Sequence, residues 1–504
     1  MMLDIVGSSY ELAQKSLSSQ RTINWVVEHL TNAGAKSKTV LMPTPGAEIK
    51  LEVMTDFEDC RGLFYSSTGP NGMPRLYGVW GYTVFRFAES LNGVYPIGSI
   101  SSGATPVRMM DNGFRFVVAD GINLWEYPLN AEDGDANTLI SSGLPPIAGL
   151  TPVENVSPTH VAFLGQRLLI NSQSTNQWYF SGLPKQDTPL EWGAADFYTM
   201  ATSANNILAV ASCNGSLWIF GYKAVEIWRT NDNQYDPYSY SAGSQSSIGI
   251  VAAQSVATVN NMIFWLGGSE VGAAGVYMGQ GTSMNRISDM AIEDQIMSLA
   301  DQTDALGWAY SHKSMVYYVL SFPNSNRTFV YEVTTNTWTE RLLRDIESGE
   351  WLVYPYQFGI VVRGEIYTGL IGAHPSYLIR LSEDLFTEFD GRQVVRQRTA
   401  QPIFDSLDKI QTRELAVDME VGVTPLLSGY GSDPKLQLEV SNDAGYTYGS
   451  VKTMSTGKQG AYRTYVRKRI PNLGRSFVFR LTTSYPGPCA IYQARLDYQP
   501  CSNT

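Results

Sequence analysis

Apolar and polar positions along this chain alternate with a period of two over short runs, and each run ends in a turn dipeptide. The pattern shows in VWGYTVFRF (79–87), VRMMDNGFRFVVADGINLWEY (107–127), VAFLGQRLLINSQSTNQWYFSG (161–182) and LAVASCNGSLWIFGYKAVEIWRT (208–230). It returns in VATVNNMIFWLGG (256–268), WAYSHKSMVYYVLSF (308–322) and YQFGIVVRGEIYTGL (356–370). Such alternation marks strands with one face buried. Asn112-Gly113, Asp120-Gly121 and Asn214-Gly215 fall between the runs, where both turn residues of a tight hairpin need positive φ. Anchored on Arg75, Arg108, His160, Ile207, Val256, Leu306 and Tyr356, the spacings are 33, 52, 47, 49, 50 and 50 residues. A period near 50 with three or four short strands per unit predicts a β-propeller. Seven blades is the direct count, and six follows if the irregular first pair is one blade.

Helical periodicity is scarce. Its best instance is 289–302, with apolar residues at 290, 292, 296, 297 and 299, which predicts one loop helix between blades. Residues 1–50 read as an extended N-terminal arm ending in a strand able to close the propeller by joining its last blade. The propeller proper is assigned to 51–390. From 391 to 504 the strand pattern continues without the period, in KLQLEVS (435–441), SFVFRLTTS (476–484) and AIYQARLDY (490–498). This predicts a small C-terminal β-sandwich-like domain and an all-β protein throughout.

Composition sharpens this picture. Only 16% of the 504 residues are charged and 12% are aromatic, which excludes a disordered chain. The 29 Tyr and 11 Trp suit pleated surfaces and wettable interfaces. Cys60, Cys213, Cys489 and Cys501 are too far apart for a zinc pattern or a disulfide framework and read as reduced thiols. No basic stretch followed by an apolar one opens the chain, and no apolar run approaches a membrane span, so a soluble protein is expected. The net charge of −11 conceals a division: residues 391–504 hold 15 Lys+Arg against 9 Asp+Glu, and the first 390 hold 21 against 38.

Catalytic motifs are absent: no G-x-S-x-G, no Walker A, no G-x-G-x-x-G and no H-E-x-x-H. His29, His160, His312 and His374 are scattered, and carboxylate groups such as Asp56/Glu58/Asp59 read as solvated loops. Ser441, Asp443, Gly445 and Thr447 form an Asp-box-like pattern outside the repeats, read as a hairpin turn. One basic concentration stands out: Arg463, Arg467, Lys468, Arg469, Arg475 and Arg480. Alternation would put Arg463, Tyr465, Arg467 and Arg469 on one face. That face would track phosphates, dock on an acidic protein neighbour, or simply be solvated.

The two ends of the chain carry a family resemblance. Gln20-Arg21-Thr22-Ile23-Asn24-Trp25, then Lys38, then Leu41-Met42-Pro43-Thr44-Pro45-Gly46 resembles the opening of the packaged-DNA stabilisation proteins of short-tailed double-stranded DNA phages. Trp25 stands where tyrosine is usual, and Arg21, Asn24, Pro43, Pro45 and Gly46 are the motif positions. Toward the C-terminus, the Ser441–Gly449 turn with Ala444 in place of a glycine, Arg467-Lys468-Arg469, Gly474-Arg475 and the closing AIYQARLDY are similar to the same family. The resemblance implies a structural virion protein with neither enzymatic activity nor a cofactor. It would form the tail hub, or nozzle, as a ring commonly of six copies below the head-to-tail adaptor. There it would retain packaged DNA, pass the duplex non-specifically at ejection, and meet a tail needle or tailspike and fibre proteins. Such a protein is made in the host cytoplasm and resides in the virion tail. The rival reading is a propeller-type tail protein that binds or cleaves glycan, which would need two carboxylates and several aromatics converging on the propeller axis.

Overall fold

The computed structural model describes residues 2–501 apart from 31–36, 70–71, 133–137, 149–153, 202–204, 234, 245, 269–273, 373, 406–407, 426–427 and 430. Seven antiparallel sheets of four or more strands follow one another around an axis. Six are contiguous in sequence, at 60–99, 108–141, 161–199, 207–240, 249–286 and 306–340. The seventh takes three strands from 356–382 and its outermost strand, Gly46–Glu52, from the N-terminal side of the first blade. That strand pairs from Gly46↔Ser382 to Glu52↔Tyr377, so the ring is fastened by segments more than three hundred residues apart and an open edge is covered.

The first blade starts at Cys60 and not at Arg75, which lies in its second strand. Moving the anchor makes the first interval match the later ones. The strand CRGLFYS (60–66) hid from the period because it has no alternating apolar set: Arg61 sits where a core residue was expected, and Arg61 is buried by donating to the carbonyls of Gly81, Ser101 and Thr105.

Blade-to-blade packing takes up most of the large aromatics. Trp80, Trp178, Trp218 and Trp265 are fully buried, with Trp218 on Trp265 across neighbouring blades at 6.0 Å. The tryptophans therefore serve the interior of one chain, where each contributes about 1.5–3 kcal/mol by leaving water. Only part of the tyrosine set, such as Tyr82, Tyr222, Tyr235, Tyr462 and Tyr465, faces outward. Gly359, on the innermost strand of blade seven, leaves no room for a Cβ against the Trp308 ring of blade six.

The helix is shorter than 289–302 predicted. It spans Met290–Met297, capped by the Asp289 carboxylate on the Ile292 amide, and is followed by turns. No helix among the described residues is long and apolar enough to cross a membrane.

The second unit is a two-sheet sandwich. One sheet runs Trp25–His29, Thr39–Pro43, Ile491–Cys501, Lys409–Met419, Val466–Arg469; the other contains Ser19–Ile23, Arg396–Thr399, Ser476–Thr483, Lys435–Ser441 and Lys452–Ser455. Their inner faces enclose one core that includes Trp25, Leu41, Leu415, Phe477, Phe479 and Leu496. The described residues among the first 45 are mostly extended, as expected, yet they form no free arm. Met2–Leu3 pairs with the last strand, Ser19–Ile23 with Arg396–Thr399, and Trp25–His29 with Thr39–Pro43. Apolar residues at both ends of the chain thus close a single core.

Below the seventh blade, Glu388 is buried and accepts from the Tyr356 hydroxyl at 2.7 Å. Burial pushes its carboxyl up to about 7, against the pull of Tyr356 and Arg396. The folded protein then holds a proton that the unfolded chain releases above pH about 4.5. The resulting stability is complete below that pH and lost as pH rises through about 7. Glu388→Gln is expected to flatten this fall. Urea midpoints compared between pH 5 and pH 8 check it, and an unchanged difference between the two pH values would count against the assignment.

Candidate functional site

Three places gather the residues singled out in the sequence. The first is the seam between propeller and sandwich, where the N-terminal motif lies. The outer strand of blade six, Thr337–Glu340, continues into the sandwich sheet through Ser19–Ile23, with Ile23 paired to Glu340. Arg21 donates twice to the Glu340 carboxylate, at 2.8 and 2.6 Å, and Arg327 adds a third bond at 2.8 Å. Glu340 is fully buried. Burial alone would raise its carboxyl, but the two guanidiniums outweigh that and hold it below the ordinary range. Asn24 takes a left-handed φ of 57°, a conformation Asn tolerates better than most residues. There the chain leaves one sandwich sheet for the other. Its side chain donates to the carbonyls of Leu342 and Val395 and accepts from the Leu342 amide.

Pro43 faces Trp25 in the next strand pair, and Pro45 lines a cavity between hairpin and propeller. Gly46 begins the closing strand where a Cβ would lie 2.5 Å from the Leu385 carbonyl oxygen. All five motif residues therefore sit at the seam. Two further residues complete it that the sequence reading passed over, Arg396 and Arg398, both fully buried. Arg398 donates to the carbonyls of Ile5 and Ser8, to Thr22 Oγ1 and to Gln20 Oε1, tying down the N-terminal segment. The available signal was two arginines at alternate positions on what is otherwise a core-facing strand.

The second place is the Asp-box-like turn. Ser441 Oγ donates to Asp443 Oδ1 at 2.6 Å, Asp443 accepts from the Thr447 amide and hydroxyl, and Gly445 N donates back to Ser441 Oγ. These hydrogen bonds hold the Asp443 carboxyl down at about 2. Ala444 and Gly445 both have positive φ, and Gly445 rests against Ser19. Every polar group of the motif is turned on its own loop, so the turn is self-contained.

The third place is the basic run, which the structure divides. Val466–Arg469 is an edge strand of the sandwich. Arg467 and Arg469 point outward, and Arg467 lies over the Tyr465 ring and 3.7 Å from Glu414. Arg463 is exposed in the preceding turn and Arg475 in the bend before Ser476–Thr483. Lys468 points the other way, onto the Thr453 carbonyl. Arg480 lies in the opposite sheet, stacked on Tyr448 at 3.4 Å from the ring centroid and 3.7 Å from Glu439. The six do not make one face.

The face that does form is mixed. Strand register sets Glu414 between Arg469 and Asp497, Ala416 between Arg467 and Arg495, and Asp418 beside Gln493. Three carboxylates thus interleave with three guanidiniums. Sequence order could not show this, because the acidic partners come from strands some fifty residues before and thirty after the run. A groove of about 570 Å³ beside it is lined by Met2, Asp418, Tyr462, Arg463, Tyr465 and Arg495.

The propeller axis holds a cavity of about 550 Å³. Its lining includes Phe64, Met109, Trp308 and Phe358, with Arg108 and His160 near one end, and contains neither Asp nor Glu. A glycosidic carboxylate pair is not among those lining residues. Among the described residues no cluster of three or more His, Cys, Asp or Glu is placed to hold a metal.

Comparison with known proteins agrees with the two-unit architecture. The family model described as "Bacteriophage P22 Gp10, beta-propeller" matches residues 15–349, and "Bacteriophage P22 Gp10, beta-sandwich" matches 396–499. No curated protein matches significantly. Two solved structures of an exo-β-1,3-galactanase from Phanerochaete chrysosporium, one with galactose and one a variant with β-1,3-galactotriose, each align over 78% of this chain and 95% of their own. Identity is 10% and the TM-score 0.29, a likeness too remote to bear on the site. With both modules matched in order over most of its length, the chain belongs to the bacteriophage P22 Gp10 family of packaged-DNA stabilisation proteins.

Proposed function

We propose that this phage structural tail protein forms the tail hub, a ring of six copies below the head-to-tail adaptor. The ring retains the packaged genome, continues the ejection channel and offers its far end to a needle, tailspike or fibre. The observation that carries this reading is the family match of both modules, joined here by a buried ionic seam. A subunit that must resist the pressure of a packed genome gains from having its two modules share one sheet. The axial cavity of the propeller, about 550 Å³ and blocked at one end, is no conduit for a duplex. The DNA path therefore belongs to the centre of the ring. An acidic propeller wall lets the duplex slide, since like charge gives no phosphate contacts to hold it.

The mixed face of the sandwich edge suits docking on a protein better than tracking phosphates, because interleaved charge sets register against a complementary surface. Arg467→Glu combined with Arg469→Glu is expected to impair joining to the adaptor while leaving the melting temperature nearly unchanged. Particle formation and DNA retention at wild-type levels would contradict that role. The hub reading itself is tested by mass and symmetry of the purified protein with and without portal–adaptor complexes. A monomer that never joins them would overturn it.

A further inference from the structure

The innermost strand of blade five is interrupted. Gly249–Ile250 and Ala257–Val259 both pair with Met262–Gly268, and the residues between them bulge inward through a short turn, Ala253–Ser255. This bulge closes one end of the propeller axis. Across the axis, blade two contributes Arg108, whose Nε donates to Gln254 Oε1 and Nη2 to the Gln254 carbonyl, both at 2.9 Å. His160 of blade three contacts the Ala253 carbonyl at 3.1 Å, and the Tyr318 hydroxyl of blade six donates to the Ser255 carbonyl. The result is a pocket with a floor, walled by seven inner strands.

Arg108 is less fully partnered than several of the arginines that tie this chain together. Arg61 and Arg398 each donate to three or more acceptors spread over several segments, and Arg86 to Tyr127 and the carbonyls of Ala131 and Glu132. Arg108 has Gln254 alone, and its Nη1 is left for the cavity it lines. No carboxylate stands among the lining residues, although the propeller as a whole is strongly acidic. Arg108 is partly buried and lines the open axial pocket, and this burial lowers its pKa to about 10. His160 adds no charge of its own, because burial, then Arg108, hold it neutral. Above the charge, the walls supply Met109, Trp308 and Phe358, with Ser212, Thr258 and Asn260 as hydroxyl and amide donors.

We infer that the axial pocket is a binding site for a small organic anion, one carboxylate or phosphate group on a sugar-sized body, anchored by Arg108. A partly buried guanidinium with a free edge and no counter-ion favours a planar or tetrahedral oxyanion. A pocket of about 550 Å³ falls in the size range of small-molecule sites, and aromatic walls with a few polar groups suit a compact sugar ring. The site is independent of the hub reading and stands or falls without it.

Calorimetric titration of the full chain with glucuronate, glucose 6-phosphate, glucose and inorganic phosphate tests the site. One molecule of glucuronate or of glucose 6-phosphate per chain is expected to bind with a Kd of about 1 mM or tighter. Glucose, lacking the charge, should bind at least about tenfold more weakly, and whichever acidic sugar binds identifies the oxyanion. Arg108→Gln should weaken binding by a similar factor. Thr258→Trp, which fills the cavity without touching Arg108, should abolish it, and that variant decides the matter if Arg108→Gln does not fold. Failure of both acidic sugars to bind at about 10 mM, equal binding of glucose, binding of inorganic phosphate alone, or binding undisturbed in Thr258→Trp would each overturn the assignment.

Discussion

Glu340→Ala is expected to destabilise the protein by about 3–5 kcal/mol, because it strands two guanidiniums at a buried site. Arg21 and Arg327 both depend on this carboxylate, and Glu340 has no exposure to solvent. Arg327, partly exposed, can turn toward water; Arg21 has a weaker alternative in Glu11 at 3.5 Å. The loss should appear as a lowered urea midpoint for the sandwich and blade six together, since Ser19–Ile23 belongs to the sheet that joins them. Arg21→Met with Glu340→Leu should recover part of the loss, as apolar replacements of a buried pair often do. If Glu340→Ala unfolds at the wild-type urea concentration, the seam is not held by this carboxylate.

Gly46→Val is the second large effect, and it acts on ring closure. A Cβ at this position meets the Leu385 carbonyl carbon at 2.6 Å and the Thr387 carbonyl oxygen at 2.8 Å. These are backbone atoms with no rotamer to escape through, so the strand itself must move. The Gly46 and Ala47 amides donate to those same two carbonyls, and moving the strand breaks both bonds. A cost of about 3 kcal/mol, at the upper end for overpacking, is expected. Hydrogen exchange should show Gly46–Glu52 and Tyr377–Ser382 opening together while blades two to five stay protected. Protection unchanged at Tyr377–Ser382 would show that the ring closes without this strand.

Much of the fold was legible in the chain itself. Six of the seven blade starts were placed at or within a residue of an innermost strand, because one face of each hairpin is buried and a period-two pattern follows directly from that burial. The exception, blade one, opens on a strand whose buried arginine breaks the pattern. The five motif residues at the N-terminus were also legible, as a family resemblance, though their task was not. Arg21 and Asn24 act on Glu340, Leu342 and Val395, over three hundred residues away, and nothing local in the sequence names such partners.

Charge was the least legible quantity. The basic run reads as one stripe when alternation is applied along the chain, yet only part of it shares a face. Glu414, Asp418 and Asp497 enter that face through pairing in register. Likewise the aromatic load marked a β protein correctly, while its division between blade interior and surface depended on which rings meet across blades. Local pattern determined the strands, the turns and the repeat, because these depend on neighbours two to four residues apart. Tertiary structure alone decided the closing strand, the buried ionic seam, the mixed face and the floored axial pocket, because each joins segments whose contact is set by long-range pairing, and no periodicity encodes which distant residue will fill a given place.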